Sequence, residues 1–485
     1  MPEGDRPHSR KGWRRVLRPN LRVAGTVLVV LVLVAAGAAY WLDLGARWGI
    51  SPDPVGDPAA VPPPPGLELP EPEPAAPVAQ QLPSSAVDAR AVRDALGRLP
   101  KDRRMGRRFA VVVADGTGRP VVDLGPDVVI PASTLKILTS VAAVEVLGPE
   151  HRFTTSTTLS GDRLTLVGGG DPLLARRADP DEYPAEADLA TLARRTAAAL
   201  RAEGRSRVRL SYDTSLFSGP SVNPRWEPGY VPSEVSPVVA LWADEGEPAP
   251  GEDRAGDPAV DAARAFVAEL RAQGITVRGR PRPGAAPAGG EQLATVESAE
   301  LVEVVQHLLE TSDNNVTEVL ARHVAIGRGS PGSFVDGARE VTAVLDELGI
   351  DTRGMRIHDG SGLSRHNRVP VQTLVEALAT AADREHPLLG GVVEGFPVAG
   401  FTGSLSYRFS TLDGRAEPGL GRARLKTGTL TGVHGYAGVV VGRDGSVMLL
   451  VAVADRVRPP QTLFARDQLD RVAAALAGCA CHAAG

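Results

Sequence analysis

Twenty consecutive residues without a charge, at positions 23–42 ("VAGTVLVVLVLVAAGAAYWL"), restrict this chain of 485 residues more than any other segment does. A helix of about 20 apolar residues, rising 1.5 Å per residue, crosses roughly 30 Å of hydrocarbon. Lys and Arg residues precede the run and a mostly acidic stretch follows it, so the positive-inside rule places residues 1–22 in the cytoplasm. We therefore expect a single-pass signal-anchor helix in the cell membrane, with the rest of the chain extracytoplasmic. A cleaved signal peptide, with "AGA" at 36–38 as its cleavage site, is the alternative.

Composition and charge limit what the rest of the chain can do. Residues 43–86 are rich in Pro and in acidic side chains, which predicts an extended spacer before a globular part that begins at about residue 87. The net charge is −5 with both signs interspersed, and the sequence shows no basic stripe of the kind that neutralises phosphates. We therefore expect no nucleic acid among the partners of this protein.

The only two cysteines, Cys479 and Cys481, fall in the last seven residues, 479–485. The fold therefore does not depend on a disulfide framework. A strained bond between the two, or a metal bound together with His482, stays open, but a loose C-terminal tail is the expectation.

Two β-hairpins are predicted near the ends of the globular part. Residues 108–127 carry "DGTG" at their turn, and residues 433–455 carry "GRDG" at theirs. An amphipathic helical pattern at 86–99 precedes the first hairpin, and another at 466–477 follows the second. Strand-like pieces, loops and helices lie between the hairpins, without an internal repeat.

Lysine is nearly absent: of the 53 Lys and Arg residues only four are Lys, and only Lys136 and Lys426 lie in the globular part outside a basic surface cluster. Arg does not lose its proton near neutral pH, whereas a buried Lys can have its pKa lowered and act as a base. Lys136 stands three positions after Ser133, so on a helix the two side chains share a face, about 5 to 6 Å apart at Cβ. This spacing predicts a nucleophilic Ser133 activated by Lys136.

Two further elements extend the pattern, since an SxxK pair alone is a weak signal. "TSDNNVTEVL" supplies Ser312 and Asn314 between two helical patterns, and "KTGTL" supplies Lys426 and Thr427 at the entry to a strand. Each element also has an ordinary structural explanation, because "SDN" is a good helix N-cap and "TG" is common in turns. Their joint occurrence in this order is what points to catalysis.

The three elements are the signature of penicillin-binding proteins and serine β-lactamases. The chain resembles, from about residue 87 to 475, the low-molecular-mass class C penicillin-binding proteins, which are D-alanyl-D-alanine carboxypeptidases and endopeptidases. Five segments, the last of which extends the "KTGTL" element, resemble that family's in its order: "LVGGGDPLL" (166–174), "YDTSLFSGPSVNPRWEPGY" (212–230), "HDGSGLSRHNRV" (358–369), "PVAGFTGSLSYRF" (397–409) and "KTGTLTGV" (426–433).

The resemblance implies an α/β (α+β) fold of the β-lactamase/transpeptidase type. Its catalytic domain, at 87–154 and 295–478, would hold a five-stranded antiparallel sheet flanked by helices and an α-helical subdomain bearing Ser312. An inserted domain would occupy 155–294. The interval of 179 positions between Ser133 and Ser312 looks short for the family, so we expect a reduced insert.

The resemblance also implies the catalytic roles. Ser133 would attack the carbonyl of the penultimate D-Ala, and Lys136 would be the general base. Ser312 would pass a proton to the leaving amine with the help of Lys426. Asn314 would hydrogen-bond the backbone of the substrate.

Four more residues would bind the substrate or stabilise the transition state. Thr427, together with the catalytic lysine next to it, would bind the terminal carboxylate, and Gly428 would let its strand approach closely. The backbone N–H groups of Thr429 and of the nucleophilic Ser would form the oxyanion hole. Asp213 matches the family's acidic position that contacts the free amine of the stem peptide.

The predicted protein is thus a membrane-anchored serine-type D,D-carboxypeptidase, with endopeptidase activity left open, that acts on peptidoglycan stem peptides and is acylated by β-lactams. One alternative is a tethered penicillin- or muropeptide-binding module with little turnover, which the shortened insert would suit. The other is a serine β-lactamase, although the sequence lacks a convincing equivalent of the class A deacylating Glu loop.

Neither a metal nor an organic cofactor is implied, and the oligomeric state stays open. His358, His366 and His434 lack metal-like spacing and are expected to be ordinary surface or loop histidines. The segment "DGSGLS" (359–364) is interpreted as a tight loop beside the cleft without a catalytic role.

Overall fold

Most of the strands and helices follow from apolar residues that recur in the sequence with the spacing of a strand or of a helix. The computed structural model describes residues 86–249, 251–410 and 413–483. The strands of these residues are β1 (Phe109–Ala114), β2 (Pro120–Leu124), β3 (Val128–Val129), β4 (Thr154–Ser160), β5 (Arg163–Val167), β6 (Arg207–Asp213), β7 (Thr276–Val277), β8 (Arg282–Pro283), β9 (Glu291–Glu297), β10 (Val369–Pro370), β11 (Ala423–Leu430), β12 (Val433–Val441) and β13 (Val447–Ala454). The helices are α1 (Ala89–Leu96), α2 (Leu135–Leu147), α3 (Leu189–Ala202), α4 (Tyr230–Ser233), α5 (Pro258–Ala272), α6 (Leu301–Thr311), α7 (Asn314–Gly327), α8 (Phe334–Glu347), α9 (Val371–Ala382), α10 (Gly390–Glu394) and α11 (Thr462–Ala477).

The apolar sequence of β1 shows that the main sheet is covered on both faces. Ala110 and Val112 lie in one hydrophobic cluster, whereas Val111 and Val113 lie in another. Successive side chains of a strand point to opposite faces of the sheet, so an uninterrupted apolar run requires a layer on each side. Helices α1 and α11 pack on one face, and α2 with α6 to α9 packs on the other.

The main sheet has five strands in the order β11-β12-β13-β1-β2, and all of its pairings are antiparallel. Both predicted hairpins are confirmed as β1–β2 and β12–β13. At the first turn, Asp115 accepts a hydrogen bond from the N–H of Thr117 at 3.0 Å, and Gly118 takes a φ of 81° that suits glycine. The five-stranded antiparallel sheet flanked by helices agrees with the fold that the resemblance implied.

A second sheet, in the interval between Ser133 and Ser312, forms the inserted part. Its main path is β7-β6-β5-β4-β9, with β8 paired to β6, and helices α3 and α5 pack against it. Strands β5 and β6 are parallel, whereas β4 pairs antiparallel with both β5 and β9. The predicted limits at 155 and 294 fall within β4 and β9, which lead the chain into this sheet and out of it.

The C-terminal tail differs from the loose segment that the sequence suggested. Cys479 and Cys481 form a disulfide, and both side chains are buried in the cluster that also holds residues of α1 and α11. The N–H of Asp88 donates to the carbonyl of Cys481 at 2.8 Å, and Val87 forms an antiparallel bridge with His482. The tail is fixed because its backbone groups pair with the segment that leads into α1.

Three predicted segments lie outside the described residues: the cytoplasmic tail at 1–22, the membrane anchor at 23–42, and the spacer at 43–86 except for its last residue. Within the part of the chain that the structure describes, no helix combines the length and the apolar character needed to cross a bilayer.

Candidate active site

The turn that carries Ser133 leads directly into α2. Residues Ala132–Thr134 form a single 3-10 turn, and Ala132 has a φ of 48°, a conformation that is uncommon for a residue with a side chain. Lys136 follows in the first turn of α2 and is completely buried. Its Nζ lies 3.0 Å from Ser133 Oγ, so the structure brings the two residues of the SxxK pair into hydrogen-bonding contact.

Three oxygen atoms surround the Lys136 amine. Nζ donates to Asn314 Oδ1 at 2.7 Å and to the carbonyl of Ser361 at 2.9 Å, in addition to its contact with Ser133 Oγ. Burial lowers the pKa of Lys136 to about 8, although nearby carboxylates act in the opposite direction. The amine is therefore neutral in a substantial fraction of molecules near pH 8, as a proton acceptor must be.

The second motif lies at the junction of α6 and α7. Ser312 ends α6 in a left-handed conformation with a φ of 69°, and Asp313 caps α7 by accepting from the N–H of Val316 at 2.9 Å. Asn314 is the first residue of α7, and its Nδ2 donates to the carbonyl of Glu234 at 2.9 Å. The "SDN" segment is thus a helix cap, as its structural explanation predicted, and also directs Asn314 at the lysine amine.

The third motif lies on β11, at the edge of the main sheet. Lys426 is completely buried, and its pKa is well below the usual value because of burial and, secondarily, because of the charge of Lys136. A Cβ at Gly428 would lie 2.9 Å from the carbonyl oxygen of Pro131. Only glycine therefore lets β11 lie this close to the turn that carries Ser133.

β11 also presents backbone donors on the side away from β12. On that side, the N–H of Leu425 donates to the carbonyl of Pro397 at 3.0 Å. Backbone N–H direction alternates with a period of two residues along a strand, so the N–H groups of Thr427 and Thr429 face the same way. Thr427 Oγ1 is also 3.0 Å from Ser404 Oγ, which fixes its hydroxyl.

The motif residues border one cleft with a volume of about 440 Å³. Five of the predicted site residues line it: Ser133, Ser312, Asn314, Thr427 and Thr429. Its other lining residues are Tyr230, Glu234, Leu363, Leu430 and Thr431. Lys136 and Lys426 lie beneath this surface, which keeps both amines away from bulk water.

The carboxylate of Asp213 is held by backbone N–H groups. This residue ends β6 in the inserted part, and its carboxylate accepts from the N–H groups of Ser215 at 2.8 Å and Ala286 at 2.7 Å. It is absent from the residues that line the cleft. The two hydrogen bonds fix the carboxylate, and its role in binding the amine of a stem peptide stays a prediction.

The loop at 359–362 supports the site more closely than the sequence indicated. The carbonyl of Ser361 accepts from Lys136, and a Cβ at Gly362, where φ is 89°, would lie 1.9 Å from the carbonyl oxygen of Ala132. Glu318, fully buried on α7, accepts from the N–H groups of Gly360 at 3.1 Å and Ser361 at 2.8 Å. The loop is therefore tied both to the turn that carries Ser133 and to α7.

Glu318 was missed by sequence analysis. Burial and the neighbouring Asp359 carboxylate raise the pKa of Glu318 to about 7. The available signal was its position four residues after Asn314, which places it one turn further along the same helix face. A Glu on a helix is so common that this spacing alone carries little information.

One group of side chains has the residue types and the close spacing of a cation site. Within the described ranges, Glu245, His307 and Asp313 place ligand atoms within 4.8 Å of one another. Burial and then the Asp313 carboxylate raise the pKa of Glu245 well above its usual value, while the positive charge of Arg254 acts against this shift. Asp313 already caps α7 and Asn315 donates to Glu245, so we assign no metal to this group.

The site and fold together define the class. A buried Lys in the first turn of a helix, in contact with a Ser in the turn before that helix, a second Ser with an Asn, and a Lys-Thr-Gly edge strand are the arrangement of penicillin-binding proteins and serine β-lactamases. The solved structure of penicillin-binding protein 4 from Haemophilus influenzae has the same fold, with a TM-score of 0.63 and 22% identity over 78% of this chain and 97% of that chain.

Sequence comparison identifies the family of the chain within this class of proteins. The model of the D-Ala-D-Ala carboxypeptidase 3 (S13) family matches residues 92–251 and 241–476, so the chain belongs to that family. Carboxypeptidase DacB of Mycolicibacterium smegmatis is 33% identical over 97% of this chain and 99% of its own length. The D-alanyl-D-alanine carboxypeptidase of an Actinomadura species is 29% identical over 70% of this chain and 76% of its own length. The predicted serine-type D-Ala-D-Ala carboxypeptidase is thereby confirmed.

The contact between the 359–362 loop and the turn that carries Ser133 can be tested with Gly362→Ala. A left-handed alanine by itself lowers the free energy of unfolding by about 1–2 kcal/mol. The decrease in this variant should be larger, because the added Cβ also collides with the carbonyl of Ala132. The measurement is urea unfolding followed by circular dichroism.

Gly354→Ala is the matched control, since Gly354 has a similar φ of 84° with only Pro370 Cγ nearby, at 3.9 Å from the added Cβ. Equal decreases of stability in the two variants would contradict the proposed close approach.

Proposed function

We propose that Ser133 is the nucleophile that cleaves the terminal D-Ala-D-Ala bond, with Lys136 as its general base. The observation that carries the proposal is the 3.0 Å contact between Nζ and Oγ, made by a fully buried amine whose pKa is lowered to about 8. The neutral amine takes the hydroxyl proton as Oγ attacks the carbonyl of the penultimate D-Ala. This step forms a tetrahedral oxyanion.

The backbone N–H groups of Ser133 and Thr429 are proposed to bind that oxyanion. Each such donor contributes about 10²–10³ in rate in other hydrolases. The outward direction of the Thr429 N–H on the edge strand supports this role, as does the close approach that Gly428 permits between β11 and the nucleophile turn.

Collapse of the intermediate breaks the amide bond and requires a proton on the leaving D-Ala amine. Ser312, which lines the cleft beside Asn314, is proposed to pass its hydroxyl proton to that amine with the help of Lys426 and to regain a proton from the protonated Lys136, which becomes neutral again. In deacylation, Lys136 accepts a proton from the water that attacks the ester and returns it to Ser133 Oγ as the ester bond breaks, which restores the enzyme. Asn314 holds the lysine amine through Oδ1 and, in the proposed role, also meets the substrate backbone.

Recognition of a free C-terminus is assigned to β11. Thr427 lines the cleft with its hydroxyl held by Ser404, and Lys426 lies beneath it, so the two are proposed to bind the terminal carboxylate of the substrate. A site for a carboxylate favours cleavage of the last residue of a peptide. An endopeptidase that cleaves cross-links would act without this contact to a terminal carboxylate.

The proposed substrates are peptidoglycan stem peptides, and the proposed inhibitors are β-lactams, which acylate the same serine. Support comes from the names of the relatives, which are D-Ala-D-Ala carboxypeptidases, and from the Haemophilus influenzae penicillin-binding protein 4 solved in complex with a β-lactam, which has this fold with a TM-score of 0.57.

Substitution of Ser133 and Lys136 tests the mechanism. Ser133→Ala and Lys136→Arg should each lower the rate of D-Ala release from a pentapeptide by about 10³-fold or more, because nucleophile and base act as a unit. The measurement is D-Ala release, together with the intact mass of the protein after exposure to benzylpenicillin.

A stable adduct on wild type and its absence in Ser133→Ala are expected. Equally slow release of D-Ala from wild type and both variants would instead favour a binding module with little turnover. Rapid disappearance of the penicillin adduct would indicate a β-lactamase.

The pH dependence of acylation should follow the Lys136 amine. The rate should rise with pH through about 8 as the amine loses its proton, and then level off. Glu318→Gln should move this midpoint to lower pH, because the negative charge of Glu318 raises the pKa of Lys136 and the amide keeps an acceptor for the 359–362 loop. The pKa of Glu318 is about 7, so its carboxylate is mostly ionised at the wild-type midpoint, where its removal should have this effect. An unchanged midpoint would exclude this electrostatic link.

We also propose that residues 23–42 anchor the protein in the cell membrane with the catalytic domain outside, as their uncharged sequence predicts. Full-length protein should sediment with membranes and resist extraction by high salt, whereas a chain without residues 1–42 should be recovered in the soluble fraction. Recovery of a shortened, soluble form from cells that express the full chain would favour the cleaved signal peptide.

A further inference from the structure

A concentration of arginine side chains lies in the inserted part. Five of them line a depression of about 570 Å³ formed by β5, β6, β8 and the segment that joins β7 to β8. These five residues, referred to as the arginine cradle, are Arg163, Arg209, Arg278, Arg280 and Arg282. All five are exposed.

Strand register explains how residues distant in sequence form the cradle. Arg163 on β5 is the register partner of Arg209 on β6, and Arg282 on β8 is the partner of Ser211, two positions further along β6. Side chains two positions apart on a strand share a face. Like charges on directly opposed residues destabilise a sheet, so this arrangement is unfavourable unless an anion lies between the guanidinium groups.

The protein supplies little of that negative charge itself. Asp162 accepts from Arg209 at 2.6 Å, and the charge of Arg278 also helps to lower the pKa of Asp162. The other four guanidinium groups of the cradle form no ion pair with any residue that the structure describes. The cradle therefore carries a net positive charge that is open to solvent.

A second depression, of about 450 Å³, adjoins the cradle. The two share Gly279 and Arg280, and the second adds Arg264 and Arg271 from α5. Two neighbouring positive depressions with a common arginine suit a ligand that carries anionic groups in succession. A single small anion would fill only one of them.

We propose that the arginine cradle binds a linear phosphodiester polymer of the cell envelope. The planar guanidinium group donates two parallel hydrogen bonds to phosphate, which makes arginine well suited to this ligand. This binding would hold the enzyme on an anionic polymer of its surroundings while the cleft acts on peptides. None of the cradle residues lines the cleft, so the two sites are separate.

The same observations argue against two other polyanions. A membrane-binding surface combines basic residues with apolar side chains that enter the bilayer, but none of the large exposed hydrophobic residues of the described chain lines either depression. Single-stranded nucleic acid is held by aromatic side chains on which bases stack, and neither depression is lined by an aromatic residue. A polymer that offers only a charged backbone needs neither feature.

The test uses poly(glycerol phosphate) as the probe and the purified protein with its catalytic activity intact. The triple variant Arg278→Gln, Arg280→Gln and Arg282→Gln removes three charges of the cradle from exposed positions. The matched control removes three exposed arginines elsewhere, through Arg90→Gln, Arg353→Gln and Arg415→Gln, with the same change in net charge.

We expect wild type and the control to bind the polymer with equal affinity, and the cradle variant to bind at least about tenfold more weakly. The logarithmic slope of its salt dependence should be smaller in magnitude, because fewer phosphate groups are neutralised. Release of D-Ala should be the same in all three proteins, which separates this proposal from the catalytic one.

Failure of wild type to bind the polymer, or equal weakening in the cradle variant and the control, would overturn the proposal. Cradle-dependent binding to vesicles of phosphatidylglycerol and phosphatidylcholine, or to single-stranded DNA, at higher affinity than to the polymer would also overturn it.

Discussion

The buried amine of Lys136 is the group on which the rest of the site depends. An amine removed from water needs oxygen acceptors, and this one has three, from Ser133, Asn314 and Ser361. The acceptors come from separate parts of the chain, namely the turn before α2, the start of α7 and the 359–362 loop. Burial lowers the pKa of the amine while these contacts hold it beside the hydroxyl, so structural and chemical requirements are met by one arrangement.

Keeping the three segments together requires backbone that approaches more closely than ordinary residues allow. Gly362 and Gly428 leave room for the turn that carries Ser133, where any Cβ would collide with backbone oxygens. Ala132 and Ser312 take positive φ values without being glycine. Such conformations cost of order 1–3 kcal/mol each and persist where the surrounding structure fixes them, which is common beside catalytic groups.

The inserted part illustrates how tertiary structure changes what a charge distribution means. Along the chain, the arginines of the cradle are spread from position 163 to position 282 among acidic residues, and the net charge is −5. Parallel pairing of β5, β6 and β8 brings them to one surface, where Asp162 is the one acid that pairs with a cradle arginine among the described residues. A positive surface thus arises in an acidic protein without any basic stripe in its sequence.

Residue types and local spacing were enough to select most of the residues that the structure brings together at the cleft, because two lysines of an arginine-rich globular part each stand within a recognisable motif. They also specified both hairpins, whose turn residues act locally, and the resemblance to a family supplied the five-stranded sheet. Folding was needed to establish that the Asp213 carboxylate accepts from the N–H of the distant Ala286, that Glu318 supports the 359–362 loop, and that the terminal cysteines are packed in the core. These three outcomes depend on contacts between residues far apart in the chain, and neither residue type nor local spacing encodes which distant backbone groups a side chain will meet.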